Sequence, residues 1–284
     1  MVVIRCTLLS LLFSALAFAL IPSVVKYDSQ LSLGAPQKSH VTCPRQNPYV
    51  KDGTLIDQLW RNNCDVVDRF LHNAFCLGQA TQNGTGLLES FQYYSVQDYY
   101  YLLNTVPFDT FLLTTDGPTS PEDTRSDISW VIGRMNKSLG YADEFYQDIT
   151  SKLNISTSVI DNGIFEAAGL GYVNWLRGSV GLGWFAYEVS RIACIYGWAE
   201  IANNLNSSIN LDTNSAFYKE WIEVNLGWDY GARHSEKLES ELQFYNNSKT
   251  FETYNRLFRE GMLFEIDFFN SAIGRKLEQA AKAV

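Results

Sequence analysis

Apolar side chains recur at helical spacing through most of this chain, and no Val/Ile-rich run alternates in the way a half-buried strand requires. That periodicity points away from sheet-based folds and predicts an all-α bundle of about seven helices in a single domain. Leu55, Leu59, Val66, Val67 and Phe70 predict a first helix over about residues 54–76, and Gly84 and Gly86 then break the chain. A second begins near Leu87, carries Phe91, Tyr94, Val96, Tyr99, Leu102 and Leu103, and bends or ends at Pro107, which cannot donate inside a helix. The third opens on Ser120 as N-cap, with Pro121 at the first helical position and Glu122 and Asp123 at the positive end of the dipole, and runs to about 153. Further helices are expected over about 164–180, 184–207, 213–228, 230–248 and 250–281.

Two signals outside the helical pattern concern location. Arg5 precedes an apolar run from Cys6 to Val25, in which Ala15-Leu16-Ala17 and Ala17-Phe18-Ala19 supply small-residue cleavage patterns. Residues 1–19 therefore read as a secretory signal peptide, with a membrane anchor as the competing reading because about 20 apolar residues suffice to span. Residues 20–52, with Pro36, Pro44 and Pro48, read as an extended arm, and 53–284 as the helical domain. Sequons at Asn83, Asn136, Asn154, Asn206 and Asn246, none interrupted by proline, agree with a secreted glycoprotein whose mature chain keeps no membrane span.

Charge and cysteine usage exclude several functions. A net charge of −9 with no Lys/Arg run argues against nucleic-acid partners, which need a basic stripe. The three histidines, His40, His72 and His234, are scattered, and no cysteine pair has CxxC spacing, so neither a metal site nor a dithiol redox motif is expected. Among Cys43, Cys64 and Cys76 one disulfide is expected, with one thiol left over that the sequence does not identify, while Cys194 is expected to stay reduced.

Three segments could carry chemistry. On the second helix Tyr94, Asp98 and Tyr101 fall on one face by the i+3/i+4 rule, an acid among aromatics that suits a ligand clamp or, more blandly, a solvated carboxylate beside the core. Tyr187, Arg191, Cys194 and Trp198 share a face further on, so that a cation one turn before the thiol would lower its pKa; Arg191 could equally pair with Glu188. On the last helix Glu265 flanks the stripe Tyr254, Phe258, Met262, Phe269 and Ala272, where desolvation would raise its pKa toward general acid/base use.

Taken together, these segments resemble the TenA family, the thiaminase II enzymes of the haem-oxygenase-like helical fold. The resemblance rests on Phe91, Tyr94, Gln97, Asp98 and Tyr101; on Cys194, Trp198, Glu200 and Ile201; on Tyr218, Trp221 and Ile222; and on Glu265, Phe268, Phe269 and Ala272. It covers about residues 54–275. It implies hydrolysis at the exocyclic methylene of an aminopyrimidine or of thiamine, without a cofactor. Cys194 would be the nucleophile, Glu265 the acid/base, and Asp98 the group that grips the ring, with Tyr94, Tyr101, Phe268, Trp198 and Asn225 in the substrate pocket. Departures from the pattern are Trp198 for a tyrosine, Asn225 for a tyrosine and Ala193 for a proline. Tyr172 offers a pocket tyrosine one residue short of the usual spacing to Cys194. The partner implied is a small pyrimidine, and relatives are usually tetramers, so a homo-oligomer is expected. The alternative is a non-catalytic secreted protein that binds a planar small molecule or a host partner. Haem binding, which the fold alone would suggest, rests on His72.

Overall fold

The structure, a computed structural model, describes residues 43–115, 120–245 and 248–277. The expected signal peptide, the arm up to residue 42, the sequon at Asn246 and the tail beyond 277 lie outside these residues. Among the described residues every regular element is helical. The chain forms α1 (Leu55–Asn62), α2 (Cys64–Leu71), α3 (Ala74–Thr81), α4 (Leu87–Thr105), α5 (Phe108–Thr115), α6 (Pro121–Ser151), α7 (Thr157–Asp161), α8 (Ala167–Val180) and α9 (Trp184–Ser190). A π turn (Ala193–Gly197) leads into α10 (Trp198–Asn206), and a second (Tyr218–Ile222) into the short α11 (Glu223–Asn225). α12 (Asp229–Tyr245) and α13 (Ser248–Ser271) complete the order.

More elements are seen than the apolar periodicity predicts, because polar side chains interrupt it. The single helix expected over 54–76 is three. Buried Asn63 donates its side-chain amide to the Leu59 carbonyl and to Asn255 Oδ1, both at 2.9 Å, which ends α1 and starts α2. Asn73 then caps α3 by accepting from Cys76 N at 2.9 Å. Both act as asparagine usually does, by offering the backbone a bond that competes with the helix ladder. Elsewhere the expected signals hold. Ser120 Oγ accepts from Asp123 N at 3.1 Å at the start of α6, and α4 stops two residues before Pro107. The helices expected over 184–207 and 213–228 are each interrupted by a π turn.

α13 is the axis of the bundle. It packs against α1, α2, α3, α8, α9 and the first π turn. Its approach to the end of α9 depends on Gly261, where a Cβ would stand 2.8 Å from the Ser190 carbonyl oxygen. α4 crosses on another side, buried on most of its circumference against α3, α6 and α8. The packed helices enclose a core of fully buried rings, among them Trp60, Phe70, Tyr94, Tyr172, Tyr196, Phe258 and Phe269. Each such ring contributes on the order of 2–3 kcal/mol of burial free energy.

The non-helical residues from Cys43 onward are tied to the domain. Cys43 is disulfide-bonded to Cys64. Glu200 accepts from Gln46 N at 2.7 Å, Asn47 N at 3.1 Å and Tyr196 Oη at 2.5 Å. Cys76 is therefore the odd thiol, and it is buried; Cys194 is free as expected. The sequons at Asn83, Asn136, Asn154 and Asn206 all stand exposed. No described helix is long and apolar enough to cross a membrane.

Candidate active site

Five elements aim polar side chains at one place. α13 supplies Glu265 and Phe268, α4 supplies Tyr94, Asp98 and Tyr101, α8 supplies Tyr172, the first π turn supplies Cys194, and α10 supplies Trp198. Glu265 is the hub, with an exposure of 1%. Its Oε1 accepts from Tyr172 Oη at 2.9 Å and its Oε2 from Trp198 Nε1 at 3.1 Å. Burial pushes its pKa up to about 7, against the downward pull of those two donors. The raised pKa expected from the helix pattern is therefore present. Its cause is complete enclosure rather than a position on the flank of an apolar stripe.

Asp98 is also buried, and its Oδ1 has no hydrogen-bond partner. Desolvation first, and the nearby Glu265 carboxylate second, push its pKa well above the ordinary range, so the group is held toward its neutral form. Tyr94 Oη and Trp221 Nε1 are likewise buried without a partner of good geometry. Unsatisfied buried polar atoms each cost on the order of 1–3 kcal/mol, so three of them beside one carboxylate pair mark a place that a polar ligand completes.

Rings wall this place. Phe268 lies 5.5 Å from Tyr94 and 6.1 Å from Tyr101 between ring centres, and Tyr101 lies 5.0 Å from Tyr172. Trp198 leans on Phe269 at 6.1 Å and Trp221 at 5.8 Å, and Tyr172 stacks on Phe264 at 5.5 Å. Flat apolar walls with a few convergent polar groups suit a planar, weakly basic ring.

Cys194 is half-buried. Its thiol responds to the charges of Glu265, Arg191 and Asp98, which places it among them. Arg191 does draw its pKa down, as the sequence suggests, but burial and the carboxyl groups outweigh the guanidinium and push the thiol well above its usual value. Cys194 therefore rests as a thiol, a correction to the activated thiolate expected from the spacing alone. The single helix face drawn through Tyr187, Arg191, Cys194 and Trp198 is corrected too. The π turn inserts a residue, turning Trp198 onto Glu265 while Arg191 stays over Tyr187 at 5.1 Å. Tyr141 on α6 and Tyr230 on α12, 56% and 57% exposed, each lie close enough to Cys194 to feel its charge.

Two expectations shift in weight. Tyr172, one residue off the usual spacing, is a direct donor to Glu265. Distance along the chain is a poor guide where the Gly181–Gly183 turn and a π turn intervene. Asn225 is not brought into the group: its Nδ2 donates to the Trp221 carbonyl at 2.7 Å, folding it back on its own turn. His72 sits half-exposed at the end of α2, with Nδ1 on Asp68, and does not face the site, so the fold offers no support for haem through it. Phe264, Tyr141 and Tyr230 are site neighbours that the sequence pattern does not name, and Phe269 and Trp221, named there only as motif residues, join them. Among the described residues no cluster of three His, Cys, Asp or Glu side chains is placed to hold a metal ion. A surface hollow of about 470 Å³ elsewhere is lined by Cys43, Pro44, Arg45, Asp52, Asp57, Arg61 and Cys64, whose charges pair with one another.

The fold has close counterparts. A TenA homologue from P. horikoshii OT3 is 19% identical with a TM-score of 0.63, covering 77% of this chain and 98% of that one. A TenA homologue from Pyrococcus furiosus is 21% identical with a TM-score of 0.60, over 77% and 99%. One from Pseudomonas syringae pv. tomato is 9% identical with a TM-score of 0.59, over 82% and 99%. No curated protein matches the chain in sequence. The pattern of the TENA/THI-4/PQQC family matches residues 76–275, a span that holds Asp98, Tyr172, Cys194, Trp198 and Glu265. On that match the chain belongs to the TENA/THI-4/PQQC family.

Proposed function

We propose that the protein is a hydrolase that cleaves the exocyclic methylene substituent of an aminopyrimidine or of thiamine, with Cys194 as nucleophile and Glu265 as acid/base. The observation that carries this reading is the convergence of the Cys194 thiol, the Glu265 carboxyl near pKa 7 and the unsatisfied Asp98 Oδ1 within walls of aromatic rings. Asp98 and Tyr94 would bond the ring nitrogen and amino group, and Tyr101 and Phe268 would hold the ring plane. As the sulfur bonds to a ring carbon, the thiol proton passes to a ring nitrogen. Aromaticity is lost, and the electron pair released expels the substituent on the neighbouring methylene. Glu265 gives its proton to the departing group. The glutamate then takes a proton from water as the hydroxyl adds to the methylene, the C–S bond breaks and the ring proton returns to sulfur. The sum is substituted methylpyrimidine plus water giving hydroxymethylpyrimidine plus the protonated leaving group. A group titrating near neutrality serves both directions of that exchange.

The test is an assay of the purified chain with thiamine and with aminomethyl-pyrimidine. Turnover that falls by about three orders of magnitude in Cys194→Ala is expected. No turnover of either compound, or full activity in Cys194→Ala, removes the reading. The resting thiol and the Trp198 and Asn225 departures favour one alternative, a protein that binds a pyrimidine without hydrolysing it, and calorimetric binding without turnover would establish that one.

Secretion belongs to the same proposal. The leader over 1–19, the arm over 20–52, and four exposed sequon asparagines in the domain over 53–284 support it. Expression in a eukaryotic cell should deliver to the medium a chain that starts beyond the leader and loses mass on treatment with an N-glycosidase.

A further inference from the structure

Arg191 has no role in the reaction just proposed beyond its pull on the thiol, yet it stays partly exposed with its donors unused. It caps α9, and its guanidinium lies over the Tyr187 ring at 5.1 Å, with a side-chain exposure of 23%. The nearest carboxylate oxygen, Glu188 Oε1, is 3.7 Å away, an ion pair too long for a hydrogen bond. Among the described residues the five N–H groups of Arg191 donate to nothing. A planar fork of donors placed over a ring and without an acceptor of its own is a form in which arginine binds oxyanions.

The charges behind it make these surroundings electrostatically one-sided. Glu188 is shared: Arg134 Nη2 lies 3.5 Å from the same Oε1, and His234 Nδ1 lies 3.4 Å from Oε2. Arg134 also holds Asp109 at 3.0 Å. His234 adds no charge near neutrality, because burial pushes its pKa down to about 4. Lys237 sits over the Trp184 ring at 4.4 Å, close enough to Glu188 to feel its charge. Two carboxylates, Glu188 and Asp109, thus face three cations, Arg134, Arg191 and Lys237, in a chain whose overall charge is −9. The surplus positive charge is local, and one of its members is the partly exposed guanidinium of Arg191, whose charge reaches Cys194. Tyr230, more than half exposed, and buried Tyr101 flank the same charge.

We propose that the site takes a pyrimidine whose departing substituent bears an anionic group, and that Arg191 receives that anion at the mouth. The inference rests on the hydrolase reading for the position of the ring, with Asp98 and Glu265 at the closed end and Cys194 toward solvent. It then follows that the far end of the substituent reaches the guanidinium. Phosphate and carboxylate share this chemistry.

Binding decides the matter without relying on turnover. The full chain carrying Cys194→Ala is titrated calorimetrically at low salt with thiamine, with thiamine monophosphate, and with a pyrimidine of the same ring carrying a carboxylate-terminated substituent. Thiamine and its monophosphate share the cationic ring, so their difference isolates the anion. The monophosphate is expected to bind at least about tenfold more tightly than thiamine, and the preference is expected to shrink as salt is added. With Arg191→Gln added, the preference should fall to within about twofold; with Arg191→Lys, which keeps a point charge, most of it should persist. The carboxylate compound binding as tightly as the phosphate makes the site one for anions in general; its binding no better than thiamine makes it one for phosphate. Equal affinity for thiamine and its monophosphate, or a preference that survives Arg191→Gln, overturns the proposal. If Arg191→Gln does not fold, as judged by its helical circular dichroism, Arg191→Lys and the salt series decide: a preference insensitive to salt overturns it. An inactive protein that shows the preference sinks the hydrolase reading alone. An active one without it sinks the anion inference alone.

Discussion

Two donors converge on the Glu265 carboxylate, and burial opposes them; the balance sets both its chemistry and a pH dependence of folding. A carboxyl raised from 4.5 to about 7 in the folded state carries its proton where the unfolded chain has lost it. Its stabilising contribution is complete below pH 4.5 and is lost as pH rises through about 7. Urea unfolding at pH 5 and pH 8 should therefore show a loss on the order of 3 kcal/mol from this group, absent in Glu265→Gln. Asp98, raised in the same direction, will leave a remainder in that variant. The catalytic consequence carries the same sign. In the proposed first step Glu265 must be protonated, so kcat/KM should fall as pH rises through about 7. Tyr172→Phe removes a bond that favours the ionised form and should move that inflection upward. A pH–rate profile unmoved by Tyr172→Phe would separate Tyr172 from the acid/base group.

Helices here are interrupted where the site needs them to be. Cys194 sits in one π turn and Trp221 in the other, and each inserted residue rotates the rest of its helix by roughly a quarter turn. Without the first, Trp198 would continue the face of Arg191 instead of donating to Glu265. This segment is positioned from behind by α13 and α2, through contacts that hold only because two glycines lack a side chain. At Gly261 a methyl would meet the Ser190 carbonyl at 2.8 Å, and at Gly197 it would meet the Phe70 ring at 2.7 Å. The first obstacle is backbone and cannot rotate away; the second is a packed ring. Gly261→Ala should lower stability by about 1–3 kcal/mol, read as a reduced melting temperature. It should also lower kcat by up to about a hundredfold, because displacement of the adjoining π turn misplaces Cys194. A variant with native melting behaviour and native kcat would show that α13 and the π turn are not in such close register.

Across the whole molecule, the segment before α1 is fastened at two points, the Cys43–Cys64 disulfide and the hydrogen bonds of Gln46 and Asn47 to Glu200. Glu200 belongs to α10, the helix that also presents Trp198 to Glu265, so the segment buttresses the site from the far side. A cross-link closing 21 residues restricts the unfolded chain by about 3 kcal/mol. Reduction, or Cys43→Ser with Cys64→Ser, should lower the melting temperature by that equivalent. kcat should be nearly unchanged at temperatures where the fold persists, because neither cysteine reaches the carboxyl pair. Loss of kcat in step with the disulfide would instead show that the segment positions α10.

The sequence by itself determined the helical class, the breaks at Pro107 and Ser120, the family resemblance and the identity of the polar residues. Each of these depends on neighbours three or four positions apart or on residue types in a fixed order. It did not determine which bonds those residues make. Asn63 and Asn73 broke an apolar pattern that reads as one helix, because side-chain amides compete with the ladder only when tertiary packing places partners such as Asn255. Tyr172 reached Glu265 despite its spacing, and Asn225 did not reach the site despite its motif, because π turns and glycine turns reset the register between helices. The Cys194 thiol is the sharpest case. Arg191 close by in sequence predicts a lowered pKa, but burial together with Glu265 and Asp98, 71 residues later and 96 residues earlier, reverses the sign. Only the folded chain brings those carboxyl groups and that depth of burial to one atom.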